Sequence, residues 1–256
     1  MNTRLIFALL GALAAIAVTT AMDATGLTMF SALPLFPLAA FFWWLQRFQR
    51  REVGLARGGP GRLYAIAALY PVAVMAAASL IALVAGQIDI SKTEWGTAAI
   101  NLFVGGVMTV LVAIITEEGF FRGWLWASLR RAGMDSRGAL IWSSVAFALW
   151  HVSAVSFGGD YGLPPARIPI FLANALLLGL AWGILREISG SVVVAAVAHG
   201  VWNGFAYTLF AFGERVGALG VERTWIHGPE VGIVGLVLNL VVLILLWRLR
   251  QRSLVA

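Results

Sequence analysis

Glu117 and Glu118 stand side by side inside an apolar stretch, Ile114-Ile115-Thr116-Glu117-Glu118-Gly119-Phe120-Phe121-Arg122-Gly123-Trp124-Leu125. A carboxylate at mid-bilayer costs about 2.5–3.5 kcal/mol even on the lenient insertion scales. Two adjacent ones need compensation, and function is the usual reason for keeping them. Two of the three histidines, His151 and His199, lie in other apolar stretches. Glutamates and histidines buried together in a membrane are the ingredients of proton transfer with water.

Helical spacing separates the two glutamates. Glu118 and Arg122 are four residues apart, so on a helix they share a face and can pair. Glu117 points about 100° away on an ideal helix and lacks that partner. Glu118–Arg122 therefore reads as structural and Glu117 as the reactive base, its carboxyl made more basic by burial. The bland alternative is that both glutamates only pair with Arg122 and a neighbouring helix. His199 and Asn203 are also four apart and put an imidazole N–H and an amide N–H on one face, a pair suited to an oxyanion. Their bland alternative is interhelical hydrogen bonding. A lone His151 would read the same way.

Depth decides for the chemical reading. Glu118 lies 12 residues before Arg130, His151 14 after Arg137, and His199 13 after Arg186. All three are then about 18–21 Å from basic anchors on one side. Three helices present ionisable groups at one level, so Glu117, His151, His199 and Asn203 are expected to line one water-accessible cavity. His227, beside Gly228-Pro229, reads as a solvated loop residue. Asn174 reads as a helix-packing hydrogen bond. Most of the eleven Trp mark span ends; Trp150 and Trp202 are expected at the cavity wall.

The elements that must position these groups are membrane spans. The chain is 61% hydrophobic and 12% charged, with mean hydropathy +0.89, against about 45–50% and 25% in soluble domains. Near-span-length apolar stretches fall at 5–22, 26–46, 63–86, 97–129, 139–156, 168–185, 191–212 and 231–247. The expected fold is all-α, a single integral-membrane domain over 1–256 with eight transmembrane helices around a cytoplasm-facing cavity. The fourth stretch is too long for a plain crossing, about 50 Å against about 30 Å of hydrocarbon. It must tilt, kink or begin at the interface, and Gly105-Gly106, Gly119 and Gly123 are the weak points. There is no cysteine, which excludes disulfides, thiolate metal sites and a cysteine nucleophile.

The net charge is +6, and every basic residue but Lys92 is arginine. The arginines alternate by loop: Arg4; Arg47, Arg50, Arg51, Arg57 and Arg62; Arg130, Arg131 and Arg137; Arg186; Arg248, Arg250 and Arg252. The opposite loops hold Asp23, Asp89, Glu94, Asp160, Glu214, Glu222 and Glu230, offset only by Lys92, Arg167, Arg215 and Arg223. Both termini are then cytoplasmic. The loop Arg51 to Arg62 is expected beside the cavity mouth, with Ser156 to Pro165 on the far side. The basic balance points to membrane lipid and not to nucleic acid. The first span read as a signal peptide is the weaker alternative, because no small-x-small cleavage site precedes Asp23.

Glu117-Glu118-x-x-x-Arg122, Phe147-x-x-x-His151 and His199-x-x-x-Asn203 together resemble the three motifs of the CAAX prenyl protease and bacteriocin-processing family. Its eukaryotic branch is the type II CAAX prenyl endopeptidases. The resemblance covers about 97–212, the expected catalytic core. It implies a helical core with a conical cavity opening to the cytoplasm. It implies Glu117 with His151 activating water, His199 with Asn203 holding the oxyanion, and Glu118 with Arg122 in support. The expected activity is an intramembrane endopeptidase of glutamic type, in a bacterial inner membrane, acting on a protein or peptide. Bacterial relatives generally lack prenylated substrates, so the eukaryotic substrate does not carry over.

No Gly-x-Ser-x-Gly elbow is present, which argues against serine proteolysis. No cofactor is expected, and zinc is the runner-up. Glu117, His151 and His199 would supply three ligands and water a fourth. Against zinc, the chain has no His-Glu-x-x-His, and neither histidine shows an acidic partner in the sequence. A proton-coupled transporter would use the same buried groups, but there is no repeat symmetry. A silent scaffold or immunity protein would keep the fold without the chemistry.

Overall fold

The computed structural model describes residues 3–212 and 215–255. Glu214, counted above among the acids of one end, lies outside the described residues. Eight helices are long and apolar enough to cross a membrane: Thr3–Ala24, Thr28–Gln46, Gly61–Val84, Trp95–Arg131, Ser136–Phe157, Ile168–Ser189, Val192–Leu209 and Ile233–Ser253. No strand occurs among the described residues. The chain is an all-α polytopic membrane protein.

In chain order the regular helices are α1 (Thr3–Ala24), α2 (Leu35–Gln46), α3 (Gly61–Val84), α4 (Trp95–Ile115), α5 (Trp126–Arg131), α6 (Ser136–Trp150), α7 (Val152–Phe157), α8 (Ile168–Ser189), α9 (Val192–Leu209), α10 (Thr224–His227) and α11 (Ile233–Val255). Their ends follow local chemistry. The Asp135 side chain accepts the Gly138 N–H at 2.7 Å and starts α6. Gly190, at φ +70°, stops α8, a conformation costly for any residue with a Cβ. Ser191 then caps α9 by accepting the Val193 N–H.

The long fourth span is not one helix. α4 ends at Thr116, whose backbone sits at φ −101°, ψ −101°. Glu117 follows, then a π-helical segment, Glu118–Leu125, before α5 begins. Such wide turns are rare and collect at functional sites. Gly119 permits this one, since a Cβ there would lie 2.5 Å from the Ile114 carbonyl oxygen. The break falls at one of the expected weak points. Gly105-Gly106 has a different use. A Cβ on Gly200 would meet Gly106 O at 2.6 Å, and one on Gly204 would meet Leu102 O at 2.9 Å. Small residues let α4 and α9 touch backbone to backbone. An alanine at position 200 would force them apart, and with them the two halves of the site.

The arginine-rich end is tied by hydrogen bonds around a hollow of 370 Å³ lined by Arg51, Glu52, Arg130, Arg131 and Arg186. Arg131 grips both carboxylate oxygens of Glu52 at 2.8 Å and also reaches the Gln46 carbonyl. Arg186 donates to Glu52 O at 2.6 Å and to Arg122 O at 2.9 Å. Val192 N–H donates to Gly54 O, and Ser191 to Ala56 O. The segment 47–59 is thus an ordered plug against the turn between α8 and α9, not a free loop. Arg4 donates to Arg131 O at 3.2 Å, and Arg250 pairs with Glu187 at 2.6 Å. The beginning of α1 and the end of α11 therefore lie at this same end.

The opposite end is open. A cavity of 770 Å³ lies between α4 and α9, with Thr97, Asn101, Gly105 and Thr109 on one wall and Asn203, Tyr207 and Thr208 on the other. Asp89, Lys92, Glu94 and Glu222 stand at its rim. No residue of Arg51 to Arg62, expected beside the mouth, lines this larger cavity. That loop is consumed in hydrogen bonds to the bundle, while α4 and α9, in contact at their glycines, leave this space toward the acidic loops.

Candidate active site

Three elements carry the ionisable groups: the α4 break with its π segment, the end of α6, and the middle of α9. Glu117 precedes the π segment, and its side chain is 18% exposed. Glu118 and Arg122, within it, are fully buried. Arg122 Nη1 lies 3.3 Å from Glu118 Oε1, in ion-pair range but off the hydrogen-bonding direction. The guanidinium sits 4.0 Å above the Phe147 ring and 5.5 Å from that of Trp182, both favourable for a cation. Gly179 makes room for it, since a Cβ there would come within 3.2 Å of Nη2.

His199 is the centre of the arrangement. Its Nδ1 lies 3.1 Å from Glu118 Oε1 and its Nε2 4.0 Å from Glu117 Oε2. The first is a hydrogen bond; the second is too long for one. Glu118 can only accept here, so Nδ1 is assigned the proton. Trp182 stacks on the imidazole at 4.1 Å and 16° and donates its own N–H to the Tyr70 hydroxyl at 2.6 Å. α8 and the π segment thus hold the ring, and Tyr70 on α3 fixes Trp182 in turn. The sequence left neither histidine with an acidic partner. That is corrected for His199, because the π turn and the close approach of α9 bring Glu118 to it.

His151 caps α6, and its Nδ1 is 2.9 Å from Phe147 O. Phe147, Trp150 and Phe171 surround the ring edge-on at 4.6, 4.7 and 5.7 Å. The imidazole within ion-pair range of Glu117 is that of His199, not of His151. Trp150 donates to Thr19 at 2.7 Å and walls His151. Trp202 is buried and its N–H has no partner among the described residues. Asn203, one turn beyond His199, lines the 770 Å³ cavity, but Glu117, His151 and His199 do not, which corrects the expectation that all four line it. Among the described residues no three His, Asp or Glu side chains gather at separations that would hold a metal.

Residues 99–205 match the family model described as type II CAAX prenyl endopeptidase Rce1-like. This segment is similar to the Rce1-like family. No curated protein and no solved structure matches the chain. The family is a peptidase family. Its match contains all six motif residues: Glu117, Glu118, Arg122, His151, His199 and Asn203. It stops short of the end of α9, so nothing in the Rce1-like segment speaks for the residues beyond it.

Those residues include buried ionisable groups that the sequence alone does not reveal. Glu230 was counted with the solvated acids and His227 with the solvated loop. Both are buried, each about 9% exposed. The segment 227–232 folds back into the bundle instead of running over its surface. Asn174 does pack as expected: its amide donates to Gly232 O at 3.3 Å, and its carbonyl oxygen accepts from Asn239 at 2.9 Å. Burial pushes the Glu230 carboxyl up to about 7, with the Glu117 charge adding to the rise and His199 opposing it.

Proposed function

We propose that this protein is a membrane-embedded endopeptidase of glutamic type. The observation that carries the reading is His199 held between two carboxylates, Glu118 on Nδ1 and Glu117 on the Nε2 side. Glu118 holds the Nδ1–H and so turns Nε2 toward Glu117, where a doubly protonated ring would donate. Asn203 adds an amide on the same helix face. The pair supplies what a tetrahedral oxyanion requires: fixed donors in a site poor in water. Glu117, the more exposed carboxylate and the one without an arginine, is the base that takes a proton from water as the water oxygen attacks the peptide carbonyl. His151 stands on the aromatic wall and orients that water. Glu118 and Arg122 set the ring and neutralise each other.

No metal step is assigned. The zinc reading now has one point in its favour, since a carboxylate behind a histidine is the usual support for a metal ligand. A quenched peptide reporter decides between the two. With Glu117 as base, turnover by the purified protein persists in strong chelators, and elemental analysis finds no stoichiometric zinc. Turnover abolished by chelation and restored by zinc would replace the base with a metal-activated water.

The substrate is a protein or peptide segment that reaches the cavity. We infer from the arginine pattern that both termini and the plugged end face the cytoplasm. The 770 Å³ cavity then opens at the outer face, away from the cytoplasmic mouth expected from the sequence. Single cysteines suit this chain, which has none of its own. In inverted vesicles, whose cytoplasmic face is outermost, an impermeant maleimide is expected to label Gly59→Cys and to spare Lys92→Cys. The reverse pattern would restore a cytoplasmic mouth.

A further inference from the structure

Four arginines line the 370 Å³ hollow at the end of α5: Arg51, Arg130, Arg131 and Arg186. Glu52 is the one carboxylate in that lining among the described residues, and it is already taken. Arg131 holds both of its oxygens at 2.8 Å, and the Gln49 N–H donates to one of them at 2.7 Å. Glu187, next to Arg186 in the chain, is held by Arg250 at 2.6 Å and by the Ser136 hydroxyl at 2.7 Å. Arg51, Arg130 and Arg186 are left without an ion pair among the described residues.

Their donors are only partly spent. Arg186 is 9% exposed and lies 5.1 Å from the Trp126 ring. Its Nε and Nη2 donate to Arg122 O and Glu52 O, while Nη1 makes no hydrogen bond among the described residues. Arg130 is exposed and uses Nη1 alone, on Met134 O at 2.8 Å. Arg51 is exposed and its guanidinium donates to nothing among the described residues. The hollow thus has one buried guanidinium on its inner side and two at its rim, from α8, α5 and the plug.

Three like charges around one space repel, and low-dielectric walls focus their field. An anion removes that repulsion. Planar guanidinium forks match phosphate oxygens two at a time. A phosphate offers oxygens to three separate segments, whereas a carboxylate offers two in one plane. Arg131 ends the fourth membrane span, and Arg186 lies one turn before the end of the sixth. The hollow therefore stands at the level of the lipid headgroups, where anionic phosphates are concentrated and basic pockets between helices collect them.

We propose that this hollow binds the phosphate of an anionic phospholipid headgroup. The site is independent of the peptidase reading above. A phosphate bound there joins the plug, α5 and α8. Because Arg186 also holds Arg122 O, the same contact braces the π segment from behind.

The test is lipid binding to the purified full-length protein in a non-ionic detergent, read by native mass spectrometry. Phosphatidylglycerol is expected to be retained more tightly than phosphatidylcholine, whose choline cancels the phosphate charge. Arg51→Gln with Arg130→Gln is expected to weaken phosphatidylglycerol about thirtyfold, at about fivefold for each charge removed. Arg57→Gln with Arg62→Gln takes the same charge from exposed arginines outside the hollow and is expected to change the affinity far less. Equal losses in the two pairs, or equal retention of the two lipids, would mean a diffuse basic surface and overturn the site. Soluble glycerol phosphate is the third arm. If it binds as tightly as the lipid and depends on the same arginines, the membrane source is overturned. If the Arg51–Arg130 double variant does not purify folded, Arg51→Gln alone takes its place. A loss of about fivefold then supports the site, and an unchanged affinity ends it.

Discussion

Glu117→Gln is expected to lower peptide turnover by about 10²–10⁴-fold, the usual worth of a positioned acid or base. Glutamine keeps the volume and the polarity but cannot accept the proton from water. The fold should not notice. The charged neighbour of the Glu117 carboxylate at ion-pair range is His199 Nε2, at 4.0 Å, and the side chain is the more exposed of the two glutamates. The measurement is turnover of a quenched peptide beside thermal stability in the same detergent. Activity near that of the wild type with unchanged stability would sink the role given to this residue.

Glu118→Gln has the opposite expectation. Glu118 serves two partners at once, Arg122 at 3.3 Å and His199 at 3.1 Å. Removing its charge strands a fully buried guanidinium among aromatic rings. Breaking one side of a buried pair costs about 3–5 kcal/mol, so the first sign is a lower unfolding temperature. Activity falls as well, because His199 loses the charged acceptor that fixes its Nδ1–H and the orientation of its ring. A variant as stable as the wild type would mean that Phe147 and Trp182 hold Arg122 unaided. The ratio of the two effects separates neighbouring glutamates: catalysis lost first in one, stability first in the other.

That separation depends on a backbone detail. On a regular helix Glu117 and Glu118 would differ only by about 100° of rotation. In the structure they flank the start of a π segment, with Gly119 pressed against the Ile114 carbonyl. The widened turn keeps Glu118 facing Arg122 and α9 and leaves Glu117 at the edge. Glycine packing of α4 on α9 then brings His199 to both. A site of this kind is assembled by two steric permissions before any charge is counted.

The amino-acid sequence by itself determined what depends on composition and on period along one chain. Eight apolar stretches of spanning length became eight helices, because backbone polar groups in hydrocarbon have no other solution. The pairing of Glu118 with Arg122 followed from helical spacing, and the three motifs marked the segment that is Rce1-like. The need for a break in the fourth span followed from length alone. Only the tertiary structure decided how helices rotate against each other and where loops turn inward. It gave His199 its carboxylate partner, which spacing cannot show because the two residues are 81 positions apart. It set His151 on its own helix's carbonyl, and placed the cavity at the acidic end by spending the arginine loop on hydrogen bonds. It also took Glu230 from an apparent surface loop into the bundle. In sequence, an acid beside Gly and Pro looks solvated; its burial goes with hydrogen bonds from Asn174 on α8 and from Asn239 on the helix that follows it. Those are contacts between separate elements, and no period along the chain encodes them.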